Sequence, residues 1–101
     1  KRQATLCVRV AAQAAEADIA HLRTRNGDHE VDLVVVRPDG GVVGVEVKLA
    51  AAVSDSDGKH LRWLRDQLGS RFVDGLIITT GPTAYRRRDG IAVVPLALFG
   101  P

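Results

Sequence analysis

The sequence predicts an α/β domain built on a mixed β-sheet with helices packed against it. Three observations carry this reading. Apolar runs of strand length recur at residues 30–36 (EVDLVVV), 42–49 (VVGVEVKL) and 72–80 (FVDGLIITT), all rich in the β-branched residues that suit a pleated surface. The first two runs flank Pro38-Asp39-Gly40-Gly41, a turn by composition, which makes them antiparallel neighbours. A helical pattern separates the second run from the third, as in a crossover connection.

Each element has its own local reason. Residues 4–19 (ATLCVRVAAQAAEADI) are Ala-rich and free of Gly and Pro, which predicts a helix with Val8, Ala11, Ala12 and Ala15 on its buried stripe. His21 to Arg25 reads as a short strand, and Asn26-Gly27 is a hairpin turn signal. Ser54, Asp55 or Ser56 can cap a helix running to about Leu68, with Leu61, Leu64 and Leu68 on one face and Gly69 as its stop. Gly81-Pro82 ends the following strand, and Ile91 to Val94 form a last short one. The order is helix, three strands, helix, two strands.

Length and composition bound the function. With 101 residues, 46% hydrophobic and 26% charged, the chain has the ordinary make-up of one globular domain, residues 1–101. The single Cys7 excludes a disulfide scaffold and fits a reducing compartment, so a cytoplasmic protein is expected. No apolar run approaches the ~20 residues of a membrane span, and no secretory signal opens the chain. The chain has no Met, which leads us to expect a fragment or a processed product of a longer protein. The net charge of +2 permits nucleic-acid contact without demanding it. Eleven of the fourteen cations are Arg, with a run at Arg86, Arg87 and Arg88 and a smaller cluster at Arg23 and Arg25. These are the candidate nucleic-acid contacts, against the plainer reading of solvated loops.

Strand alternation points to a site. On the first long strand Val31, Leu33 and Val35 share one face, while Glu30, Asp32, Val34 and Val36 share the other. On the second, Val43, Val45, Val47 and Leu49 oppose Val42, Gly44, Glu46 and Lys48. A loop with an odd number of residues and a left-handed Gly joins like parities; Pro38-Asp39-Gly40 or Asp39-Gly40-Gly41 would serve. Glu30, Asp32, Glu46 and Lys48 then converge at the end of the hairpin far from its turn. Close carboxylates repel unless a cation or proton lies between them, and oxygen ligands of this kind suit Mg²⁺ or Mn²⁺. Cross-strand pairing of two acids and a Lys on a wet surface is the plainer alternative.

Asp32, followed after the hairpin by Val45-Glu46-Val47-Lys48, resembles the PD-(D/E)XK nuclease signature. The element order resembles the restriction-endonuclease-like core, α-β-β-β-α-β. Residues 20–49 more closely resemble the C-terminal domain of a family of bacterial and archaeal P-loop (AAA+) ATPases, a domain of unknown function. Gly58 to Leu64 and the strand from Gly75 to Thr80 fit it too. The resemblance implies Asp32 and Glu46 as metal-binding carboxylates, Glu30 as a further ligand candidate and Lys48 as the catalytic lysine. Arg9 stands where related domains often carry a Glu on the first helix, with Glu16 the nearest alternative, and Val31 rather than Pro precedes Asp32. No G-x-x-x-x-G-K-[ST] occurs, so this chain holds no P-loop ATP site, and the ATPase region is an expected missing partner.

The smaller signals have plain readings. Trp63 reads as a core edge before a base-stacking residue, and Cys7 as a small buried hydrophobe. Tyr85 reads as a loop tyrosine. His29 and His60 are too far apart in the pattern to suggest a zinc pair, and His60 reads as solvated before a phosphate contact or a residue at the rim of the site. Three functions stay open: a metal-dependent nuclease acting on DNA, an inactive nuclease-like DNA-binding module, and a protein-interaction domain.

Overall fold

A computed structural model describes residues 18–23, 27 and 29–99. Strands β1 (Asp18–Arg23), β2 (Glu30–Val36) and β3 (Val42–Lys48) form an antiparallel meander. The β2–β3 turn closes through two bonds, the Arg37 N–H donating to the Gly41 carbonyl at 2.8 Å and the Gly40 N–H to the Arg37 carbonyl at 2.9 Å. Pro38-Asp39-Gly40 is thus the three-residue loop, and Gly40 takes the left-handed φ of 88° that a side chain would resist. Like parities oppose each other across the ladder, Val34 to Gly44 and Val35 to Val43.

After β3 a 3-10 turn (Asp55–Gly58) leads into α1 (Lys59–Leu68), which carries the chain over to β4 (Phe72–Thr79), parallel to β3. A short β5 (Tyr85–Arg86) turns back into β6 (Ala92–Pro95), which pairs parallel with β4. The described residues form a six-stranded mixed sheet in the order β1-β2-β3-β4-β6-β5.

Both faces of the sheet are apolar because its central strands are covered on both sides. On one face α1 buries Leu61 and Leu64 against Val31, Val34, Val42, Ile77, Ile91 and Val93. Gly44 permits this close approach, since a Cβ there would lie 2.8 Å from Leu61 Cδ2. The opposite face gathers Val35, Val43, Val45, Leu76, Ala92 and Val94, with Phe99 of the C-terminal 3-10 turn (Leu96–Phe99) packed on it.

The structure corrects the expected pattern in three places. Asp18 and Ile19 belong to β1 rather than to a helix, because each pairs with β2, at Val36 and Val35. The rest of the expected 4–19 helix, including Cys7, Arg9 and Glu16, lies outside the described residues, as do Arg25 and Asn26. Val31 does not share a face with Val35; it packs under α1. The cause is a β-bulge: Ala20 pairs with Val34 and Leu22 with Val31, so two residues of β2 oppose one of β1 and the alternation slips. Finally, the Arg86–Arg88 run begins in a strand, β5, rather than standing in a loop.

Leu61 is fully buried and Leu49 is 81% exposed. Leu61→Ala is expected to lower unfolding free energy in urea by about 2–5 kcal/mol, and Leu49→Ala to change it by less than about 0.5 kcal/mol.

Candidate active site at the open end of the hairpin

The β2–β3 ladder stops at Leu33–Val45. Beyond it, side chains take over the backbone hydrogen bonds. The Asp32 N–H donates to Glu46 Oε1 at 3.1 Å, and the Val47 N–H donates to Asp32 Oδ2 at 2.8 Å. Each acid therefore accepts an amide from the opposite strand, which draws the two carboxylates together where the strands part. Buried or half-buried amides need such partners.

Lys48, the last residue of β3, turns its ammonium to Asp57 Oδ2 at 2.5 Å. Asp57 lies in the turn before α1 and also accepts the Ser54 N–H at 2.7 Å, one half of a capping box. The Lys48 ammonium and the Ser54 amide hold the Asp57 carboxyl below its ordinary value. The expectation of a cap at residues 54–56 omitted this acid, although Ser54-x-x-Asp57 carries the capping pattern.

Glu46 is the electrostatic centre of the group. Burial raises its pKa from 4.5 to about 7, and the charges of Asp32, Glu30 and Asp57 push the same way, against the Asp32 amide. The four predicted residues, Glu30, Asp32, Glu46 and Lys48, are thus brought into one neighbourhood, with Asp57 as a fifth member. Among the described residues no three His, Cys, Asp or Glu side chains form a ready-made metal cage.

His29 and His60 border the acids and meet, Nδ1 to Nδ1 at 3.3 Å. The ring of His29 also stacks on Trp63, with centroids 4.3 Å apart and planes at 9°. Trp63 is half-buried and packs at the margin of the α1 core. Burial lowers the His60 pKa, helped by His29 and Lys59 and opposed by Glu30 and Asp32.

The three arginines of the run line one cavity but differ in their partners. Arg86 pairs with Asp74 at 3.0 Å and donates to the Gly90 carbonyl. Arg87 pairs with Asp89 at 3.1 Å and donates to the Ser54 and Asp55 carbonyls. Arg88 is exposed and, among the described residues, makes no ion pair. Arg23 lies in β1, and Arg25 is outside the described residues.

Residues 4–99 match the family described as domain of unknown function DUF4143. The chain belongs to this family. No curated protein matches the DUF4143 chain. Among solved structures it is similar to that of an EndoMS complex with double-stranded DNA, with a TM-score of 0.53, 19% identity, and coverage of 94% of this chain and 43% of that one. A repair endonuclease from Pyrococcus abyssi gives a TM-score of 0.46 at 19% identity, covering 81% of this chain and 38% of that one. This chain thus spans less than half the length of either structure. The fold of the DUF4143 domain is restriction-endonuclease-like. No described helix is long and apolar enough to cross a membrane.

Because Glu46 binds its proton more tightly in the folded protein, stability is expected to fall as pH rises from about 4.5 to about 7. Glu46→Gln should remove that loss and make the domain more stable than wild type at pH 8. Urea denaturation of both proteins across this range checks it.

Proposed function

We propose that this DUF4143 domain is a divalent-metal-dependent nuclease module acting on DNA phosphodiesters, and that it works as the C-terminal part of a P-loop ATPase. The observation that carries the nuclease reading is the meeting of Asp32 and Glu46 where β2 and β3 part, with Lys48 on the same edge. The fold supports it, being shared with a protein whose structure is a complex with double-stranded DNA. The ATPase partnership rests on the resemblance of residues 20–49 to the C-terminal domains of such enzymes.

The donor set fits Mg²⁺ or Mn²⁺. Mg²⁺ is commonly held by one or two carboxylates plus substrate phosphate and water, so a complete protein cage is not required. Asp32 and Glu46 would be the ligands, with Glu30 beside them. Burial first, and then the charges of Asp32, Glu30 and Asp57, raise the Glu46 pKa, and a dication bound there would offset both. Such an ion would activate water and polarise a phosphoryl oxygen. The protein's own part is positional. Asp32 and Glu46 are oriented by each other's strands. Lys48 gives one of its three N–H donors to Asp57, and its charge would offset the negative charge that grows on a phosphate bound at the carboxylates. Arg88, Arg23 and Arg25 supply contacts to the nucleic-acid backbone, whereas Arg87 is bound within the fold and Arg86, though exposed, is paired with Asp74.

Calorimetry should show Mn²⁺ binding to the wild type and its loss in Asp32→Ala. Lys48→Ala should keep Mn²⁺ binding but lower cleavage of linear or branched DNA by about 10²–10³-fold. Equal cleavage by wild type and both variants sinks the proposal. A wild type that binds DNA without metal and never cuts it favours the inactive module instead. Arg88→Ala should weaken DNA binding and flatten its salt dependence by about one phosphate contact.

A further inference from the structure

The turn that carries Asp57 is held from outside. Arg87 donates to the carbonyl of Ser54 at 3.1 Å and of Asp55 at 3.0 Å, and Arg62 donates to the Asp55 carbonyl at 3.1 Å. Asp89 ties the two arginines together, its Oδ2 lying 3.0 Å from Arg62 and 3.1 Å from Arg87. Its own loop is anchored in turn, Oδ1 accepting the Ile91 N–H at 3.1 Å and its carbonyl accepting Arg65 at 2.5 Å. Asp55, Arg62, Arg87 and Asp89 wall an open cavity of about 850 Å³ together with Val53 and Arg88. The Arg87 side chain is only 10% exposed and that of Asp89 18%. Burial works against the Asp89 carboxylate, but the Ile91 amide, Arg62 and Arg87 outweigh it and keep the group below its ordinary value.

A lysine side chain has many rotamers, and a charge on a flexible stem needs a partner to fix it. Asp57 is that partner, and Asp57 is only as fixed as its turn. A planar guanidinium can grip two carbonyls and a carboxylate at once. We propose that Arg62, Arg87 and Asp89 form a positioning clamp: they lock the Ser54–Gly58 turn so that Asp57 holds the Lys48 ammonium at the candidate active site. This rests on the reading of Lys48 as the catalytic lysine, and it assigns Arg87 a role inside the protein rather than on DNA.

The test uses the whole chain and two kinds of readout. The first needs no activity. The hydrogen-bonded Lys48 ammonium should give a resonance in ¹⁵N NMR of the wild type that disappears in Asp57→Asn and in Arg87→Ala. The Ser54 amide, bonded to Asp57, should exchange about tenfold faster in Arg87→Ala, with the Ile77 amide of β4 unchanged as the check on the fold. If Arg87→Ala does not fold, Asp89→Asn is measured in its place. A clamp variant that keeps both the Lys48 resonance and the Ser54 exchange rate overturns the clamp, whatever the domain's activity. The second readout is Mn²⁺-dependent cleavage. Arg87→Ala should lower kcat and leave KM for DNA unchanged. A raised KM with a flatter salt dependence and unchanged kcat would mean that Arg87 contacts DNA, and would overturn the proposal. A wild type that does not cleave counts against the nuclease reading alone, since the spectroscopic result still decides the clamp.

Discussion

Where β2 and β3 diverge, each strand's amides lose their partners, and the whole site follows from how this loss is made good. Asp32 and Glu46 accept amides across the gap, so the same carboxylates that end the ladder are held side by side. Their positions are therefore set by main-chain geometry rather than by rotamer preference. The cost appears on Glu46, which is desolvated among Asp32, Glu30 and Asp57 and keeps its proton up to about pH 7. The parting of the strands, the crowding of acids and the proton on Glu46 are one physical fact seen from three sides.

The same hairpin chemistry occurs twice and serves two ends. Arg37-Pro38-Asp39-Gly40 and Arg87-Arg88-Asp89-Gly90 close with matching bonds, the first Arg amide to the residue after Gly and the Gly amide back to that Arg. In both, the Asp side chain accepts the amide two residues on, and Gly40 and Gly90 take φ of 88° and 89°. At the first turn the Asp39 carboxylate pairs, among the described residues, with its neighbour Arg37. At the second, the loop lies against α1, and Asp89 draws in Arg62 and Arg87. Identical local instructions thus give a solvated turn in one place and a structural joint in the other.

Much of this was legible in the residues. Pro38-Asp39-Gly40 fixed an odd loop, the loop fixed like parities, and parity placed Asp32, Glu46 and Lys48 on one edge. Local patterns do not reveal the bulge opposite His21, because a one-residue slip changes no composition, and so simple alternation puts Val31 on the wrong face. The helical look of Asp18 and Ile19 lost to strand pairing, which is a long-range term. The meeting of His29 with His60 depends on α1 crossing the sheet, and no short-range signal encodes it. The arginine run was ambiguous for a different reason. Three adjacent cations read the same whether solvated or consumed, and only the positions of Asp74 and Asp89 distinguish them.

Strand β5 is two residues long, and both are exposed. It lies at the end of the sheet, where β6 would otherwise present its whole unpaired edge. Arg86 crosses to Asp74 and so keeps a charge on that short edge. A strand from another molecule would find there few free backbone groups and a cation to desolvate. On this side the fold is guarded against edge-to-edge aggregation by the brevity of its outermost strand.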